Sequence, residues 1–151
     1  MTLEQLKLQN QVCFPLYTAS RLITREYQPY LDKLGLTYPQ YLVMLVLWET
    51  DQIPINAITQ QLLLDTNTVT PLLKRMETLG LLERQRSKVD ERKVMVKLTE
   101  KGHQLRTEAA LIPERLVGGL LSEEMKLDEL IHLRDQLQGL IRHLSTKPEA
   151  D

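Results

Sequence analysis

The chain has 151 residues, enough for one domain or one elaborated protomer. Its 19 Lys and Arg against 20 Asp and Glu leave a formal net charge of −1, and 42% hydrophobic with 26% charged residues excludes a disordered or fibrous class. One cysteine excludes an internal disulfide framework or a Cys-rich zinc site and fits a reducing compartment.

The longest apolar run, Tyr41 to Trp48, is too short to cross a bilayer. The first residues lack a basic stretch followed by an apolar one, so no secretory leader is expected. A soluble, cytoplasmic protein is the expectation.

Residues 3–33 read as helical, because Val12, Leu16, Ala19, Ile23, Tyr27, Tyr30 and Leu34 recur at steps of three and four. Pro15 and Pro29 interrupt this pattern. Pro15 disfavours a helical Phe14, so a fresh helix can start there, with Cys13 just upstream. Thr37 followed by Gln40 predicts a capping box, and the all-apolar run after it predicts a buried central helix. Ile53-Pro54-Ile55 allows only a brief edge strand.

A short helix is expected over 56–64, with Ile58, Leu62 and Leu63 inward. The polar Asp65-Thr66-Asn67 then breaks the chain before a second helix that Gly80 ends. Two short helices across a tight polar turn make a helix-turn-helix candidate. In the second, Val69, Leu72, Leu73, Met76 and Leu79 take the core face, leaving Thr66, Asn67, Thr70, Lys74 and Arg75 outward. Pro71 costs little if it falls among the early N–H groups that lack partners.

Leu81–Arg86 and Lys93–Leu98 read as a hairpin with a polar tip. Between Arg84 and Lys97, six bases against two acids give +4, so the remainder of the chain carries −5. A basic segment on an acidic body suits a localised phosphate-binding element. Thr99 caps a further helix, kinked at Pro113, and Ser122 caps the last, where Leu127, Leu130, Leu137 and Leu144 keep a coiled-coil-like seam. The outer helical arms carry more apolar surface than the central module covers. Either they pack on each other in a monomer, or they build an intertwined dimer.

The segment Leu64-Asp-Thr-Asn-Thr-Val-Thr-Pro-Leu-Leu-Lys-Arg-Met-Glu77, with Gly80-Leu-Leu-Glu-Arg-Gln-Arg86, Asp90-Glu-Arg92-Lys-Val94 and Leu98-Thr-Glu-Lys-Gly102, resembles the MarR family of winged-helix regulators. Gln11-Val-Cys13-Phe-Pro-Leu-Tyr17, Tyr27 and Leu36-Thr-Tyr38-Pro-Gln-Tyr41 resemble its single-cysteine organic hydroperoxide regulators.

The resemblance implies a mainly α fold with a small β-hairpin wing, dimerising through residues 1–36 and 99–151 and binding DNA through 37–98. Thr66, Asn67, Thr68, Thr70, Pro71, Lys74 and Arg75 match the recognition helix, and Arg84 and Arg86 of the basic hairpin join them as DNA-binding candidates. Arg92 matches the arginine that enters the minor groove, and Asp90 the acid that steadies it. Cys13 matches the peroxide-sensing cysteine; Tyr27 and Tyr38 match tyrosines that hydrogen-bond its sulfur across the dimer, with Tyr17 nearby. No second, resolving cysteine is present. The implied partners are operator DNA, a second copy of the chain, an organic hydroperoxide, and a low-molecular-weight thiol on oxidised Cys13; no metal or cofactor is implied.

Physical chemistry bears on each signal. Short donors and acceptors read base edges, and bases fix phosphates; the recognition segment carries both. The alternative is an ordinary solvated face. An arginine at a hairpin tip suits a narrow, electronegative minor groove. A lone cysteine is often a small buried hydrophobe, whereas reactivity needs thiolate, favoured near a helix N-terminus. Tyr27 follows Cys13 by fourteen residues, roughly 21 Å along a straight helix, so it cannot touch Cys13 of its own chain there, whereas an antiparallel two-fold partner could bring the two together.

Beside a non-catalytic helical scaffold, which would show no salt-dependent DNA binding, three functions compete. One is a repressor released by Cys13 oxidation, another a regulator responding to a small aromatic ligand. The third is a thiol peroxidase using Cys13, which needs a resolving thiol and leaves the basic wing unexplained.

Overall fold

The computed structural model describes residues 3–147. Two single 3₁₀ turns, Glu4–Leu6 and Leu8–Asn10, precede helix α1, Cys13–Leu34. The helical reading of residues 3–12 is thus corrected. The amide of Gln11 donates to the carbonyls of Gln5 and Lys7, closing turns rather than extending a helix. Pro15 lies in the first turn of α1, where its missing N–H has no helical partner to lose. Pro29 does not interrupt α1. It forfeits one bond to the Arg25 carbonyl, and both residues are exposed, so water can take that carbonyl.

Gly35 ends α1 with φ +68°, and the Leu36 N–H reaches back to the Leu31 carbonyl at 3.0 Å. Helix α2, Tyr38–Glu49, starts with the expected box: Gln40 N–H donates to Thr37 Oγ1, and Thr37 N–H to Gln40 Oε1 at 2.9 Å. Tyr41, Val43, Met44, Val46, Leu47 and Trp48 are all buried, which makes α2 the central core helix. Each such side chain contributes roughly 1.5–3 kcal/mol through burial.

Strand β1 is Ile53–Pro54, followed by α3 (Ile55–Leu62), α4 (Thr66–Thr78), β2 (Leu82–Arg86), β3 (Val94–Leu98) and α5 (Glu100–Ala109). The three strands form an antiparallel sheet in the order β1-β3-β2, with Ile53 opposite Val96 and Arg84 also opposite Val96 on the other side. Pro54 is accommodated because β1 is an edge. Ile58, Val69, Leu73, Met76, Leu82 and Val96 complete the core under α2.

Two leucines expected inward are outward. Leu63 caps α3 in the left-handed conformation and is 60% exposed, its backbone turning the chain toward α4. Leu79 caps α4 and is 43% exposed; Leu81, past the φ +73° turn at Gly80, takes the buried place instead. Pro71 lies beyond the partnerless first turn, since Val69 N–H already bonds Asp65. It removes the bond to the Asn67 carbonyl, on an exposed face.

The chain divides into two compact units, one running to Ile112 and the other from Pro113. Helix α6 is Ile112–Leu120 and α7 is Leu127–Ser145. Pro113 opens a separate helix rather than kinking a longer one, as proline does in a first turn. Ser122 does not cap α7: its Oγ accepts from the N–H groups of Glu124 and Met125 and closes a turn. The start of α7 is held by Glu129, whose carboxylate accepts from Lys126 N–H at 2.6 Å. Leu130 and Leu137 are half-buried, while Leu127, Leu140, Ile141 and Leu144 are exposed. No described helix is long and apolar enough to cross a membrane.

Candidate nucleic-acid interface and redox site

Helix α4 carries its chemistry on one side because Val69, Leu72, Leu73 and Met76 bury the other. Thr66, Asn67, Thr68, Pro71, Lys74 and Arg75 are exposed, and Thr70 is half-buried. Asp65 caps the helix, its Oδ1 accepting from Thr68 N–H at 3.0 Å and from Thr68 Oγ1 at 3.1 Å. The Thr68 hydroxyl is therefore engaged in the cap, while the remaining first-turn N–H groups present the positive end of the helix.

The wing is closed by its own short-range bonds. Ser87 N–H donates to the Lys93 carbonyl at 2.8 Å, and Lys93 N–H to the Asp90 carbonyl at 3.0 Å. Ser87 Oγ accepts from the N–H groups of Val89 and Asp90, both at 3.2 Å. Asp90 Oδ1 accepts from the backbone N–H of Arg92 at 3.1 Å. Asp90 thus steadies the main chain that carries Arg92, not its guanidinium. Among the described residues, the exposed side chains of Arg86, Lys88 and Arg92 form no ion pair.

Arg84 is placed differently. Its guanidinium donates to Glu77 Oε2 from Nη2 at 2.9 Å and from Nε at 3.1 Å, while its backbone N–H donates to Oε1 at 3.0 Å. These bonds hold the Glu77 carboxyl below the usual carboxylate range. Arg84 also lines a cleft of about 240 Å³ with Thr66, Thr70, Arg92 and Lys93, to which Pro54 and Ile55 contribute apolar lining. The cleft brings the start of α4 and the foot of the hairpin together. Sequence reading missed Glu77; the available signal was an acid seven residues before an arginine, across a glycine turn.

Cys13 is exposed and is the first residue of α1. Val12 before it supplies no side-chain cap, so the first-turn N–H groups remain available to a thiolate. Tyr17, one turn on, is 68% exposed, with the Arg21 guanidinium 5.9 Å from its ring centroid.

Tyr27 and Tyr38 do come together, joined by Tyr41. Ring centroids lie 5.0 Å apart for Tyr27 and Tyr38, 5.7 Å for Tyr27 and Tyr41, and 6.4 Å for Tyr38 and Tyr41. Burial, and secondarily the neighbouring phenols, pushes Tyr27 up to about 12; burial also raises Tyr38 and Tyr41. All three are therefore phenol donors at neutral pH. Cys13 and Tyr27 belong to one continuous helix, so a single chain does not bring them together. Sequence reading placed Tyr41 only in a motif and the core run; its part in the phenol cluster is a tertiary feature. Among the described residues, no group of His, Cys, Asp or Glu could hold a metal ion.

Residues 25–108 match the family model of the transcriptional regulators SarA/Rot. The organic hydroperoxide resistance transcriptional regulator of Bacillus subtilis (strain 168) is 45% identical over 144 residues, covering 95% of this chain and 96% of that protein. Among solved structures, reduced AbfR bound to DNA is 39% identical with a TM-score of 0.76, covering 95% of this chain and 99% of that one. A mutant MarR from E. coli complexed with operator DNA superposes with a TM-score of 0.80 over 93% of this chain and 99% of that one. At 23% identity, that last likeness is one of fold.

Proposed function

This chain belongs to the MarR-type winged-helix transcription regulators covered by the SarA/Rot model, with the organic hydroperoxide regulators among its relatives, and we propose that it is a redox-sensing repressor released from DNA when an organic hydroperoxide oxidises Cys13. Thr66, Asn67 and Thr70 read base edges, Thr68 caps the start of that helix, and Pro71 belongs to its exposed, DNA-facing side. Lys74, Arg75, Arg84 and Arg86 face the phosphates, and Arg92, on the Asp90-braced tip, enters the minor groove. A helix with short polar side chains at its start and bases farther along, beside a basic hairpin, supports this assignment.

The protein works as a homodimer on a pseudo-palindromic duplex. Residues 1–36 and 99–151 serve dimerisation, and 37–98 serve DNA binding. Supporting this, Leu6, Leu8 and Phe14 are exposed in the first unit, and Leu140, Ile141 and Leu144 in the second. In the dimer, Tyr27 and Tyr38 of one protomer serve Cys13 of its partner. Leu137→Asp places a charge in the seam, and light scattering of that variant is expected to show dissociation or unfolding. A well-folded wild-type monomer at micromolar concentration would sink both the dimer and the cross-subunit role of Tyr27.

The observation that carries the redox reading is the placement of the chain's one cysteine, exposed at the first residue of a helix. The basic hairpin and the outward face of α4 have no use in a peroxidase, so the protein acts in the cytoplasm as a regulator, not an enzyme. A mobility shift on the DNA upstream of its own coding sequence, with and without an organic hydroperoxide, tests the proposal. Release by hydroperoxide is expected; release by aromatic acids alone would favour control by a small ligand, and multiple-turnover peroxide consumption would favour an enzyme.

A further inference from the structure

We propose that Glu77 is a positioning residue for DNA reading: one carboxylate locks Arg84 and the foot of the wing onto the recognition helix, so that both elements meet DNA as one surface. The inference rests on the DNA-binding reading above and adds to it a residue that does not touch DNA.

Three bonds run from this carboxylate to a single residue across the Gly80 turn. Oε1 takes the Arg84 backbone N–H at 3.0 Å, and Oε2 takes Nε at 3.1 Å and Nη2 at 2.9 Å. Strand β2 is an edge of the sheet. Its Arg84 N–H is directed to α4 rather than to β3, so Glu77 ties that otherwise open edge to the helix. Because the guanidinium is a planar fork, two bonds to one side fix its orientation. Nη1 makes no hydrogen bond among the described residues, and Arg84 lines the cleft with Thr66, Thr70, Arg92 and Lys93. Arg84 in turn sits opposite Val96, on the strand that leads back to the wing tip.

The sign of the charge separates positioning from attraction. An ionised acid beside a surface that meets a polyanion weakens the sequence-independent part of binding. If Glu77 acted only through its charge, neutralising it would tighten binding to any duplex. Positioning makes the opposite prediction for a specific site, because the selectivity of base contacts depends on where the helix and wing are held.

The test uses the full chain and two duplexes of equal length: one enriched from a randomised pool by the wild-type protein, and a scramble of it. Glu77→Gln keeps an oxygen for the backbone N–H but loses the charged grip. It is expected to bind the enriched duplex about tenfold less tightly, the effect of roughly one charge-assisted hydrogen bond, while binding the scramble equally well or more tightly. Arg84→Lys preserves charge without the fork, so it is expected to lose the same selectivity with an unchanged salt slope. Equal or tighter binding of Glu77→Gln to both duplexes would overturn the proposal. So would a parallel loss on both with a lowered melting temperature, which is a stability effect only. A wild-type protein that enriches no duplex overturns the DNA-binding reading itself, and this inference with it.

Discussion

The phenol rings of Tyr27 and Tyr41 lie 5.7 Å apart, one from α1 and the other from α2, and Tyr41 also meets Trp48 edge-on at 6.3 Å. The contact joins the helix that begins at Cys13 to the centre of the core. Trp48 continues it by donating from Nε1 to the Gly102 carbonyl at 2.9 Å.

The cluster makes stability sensitive to alkali. Folding raises Tyr27 from 10.0 to about 12, so the folded state keeps a proton that the unfolded chain gives up. The contribution is complete below pH 10.0 and is lost as pH rises through about 12. Allowing for partial exposure, the loss is on the order of 1–2 kcal/mol. Urea unfolding at pH 9 and at pH 11.5 checks this, with Tyr27→Phe expected to show the smaller fall. Equal falls in both proteins would assign the alkaline loss to other groups.

Gly102 is where α5 closes on the rest of its unit. A Cβ there would meet the Leu81 carbonyl oxygen at 2.2 Å and Leu98 Cδ2 at 3.0 Å. Backbone is the obstacle, so relaxation is costly. Gly102→Ala is expected to destabilise by about 3 kcal/mol or more and to alter Trp48 fluorescence. Gly118→Ala meets nothing within 4 Å and serves as the control, neutral or slightly stabilising in thermal unfolding.

Local grammar made much of this fold legible. Thr37 with Gln40, Thr99 with Gly102, and Gly80 after α4 are short-range devices, and each works as its spacing implies. The same grammar failed at Leu63 and Leu79, where the apolar period continues but each residue occupies a cap and turns outward. Ser122 looked like a cap because Ser-Glu-Glu has the right composition, yet Glu129 holds the helix start five residues later. Of the candidate site, the outward face of α4 and the wing were legible by period and charge. The Glu77–Arg84 clamp and the third tyrosine were not, since both join separate elements and no single period encodes them.

Arg92 gives the wing a quantitative signature. Removing one phosphate-neutralising charge lowers the slope of log affinity against log salt by roughly 0.9 for each phosphate no longer neutralised. Arg92→Ala is therefore expected to flatten the slope. Asp90→Ala leaves the cation but removes the bond to Arg92 N–H, so it is expected to weaken binding while nearly preserving the slope. Unchanged affinity and slope for Arg92→Ala on its enriched duplex would remove the wing tip from the DNA surface.

On the proposed reading, Cys13 is the switch. Its thiolate attacks one peroxide oxygen, the O–O bond breaks, and the alkoxide leaves to take up a proton, giving sulfenic acid and an alcohol. No second cysteine exists in the chain, so an internal disulfide cannot form. Condensation with a low-molecular-weight thiol gives a mixed disulfide and water. Sulfenate alone is a small change, which under the same proposal the Tyr27 and Tyr38 phenols hold by hydrogen bonds across the dimer. A mixed disulfide or sulfinate is bulkier or more charged, and a packed interface must move to admit it. Release requires binding about a thousandfold weaker, or on the order of 4 kcal/mol. Cys13→Ser is expected to bind DNA normally and to stay bound in hydroperoxide. Tyr27→Phe and Tyr38→Phe should bind DNA but respond more slowly. Hydroperoxide that still strips Cys13→Ser from DNA, read by mobility shift, would place sensing elsewhere.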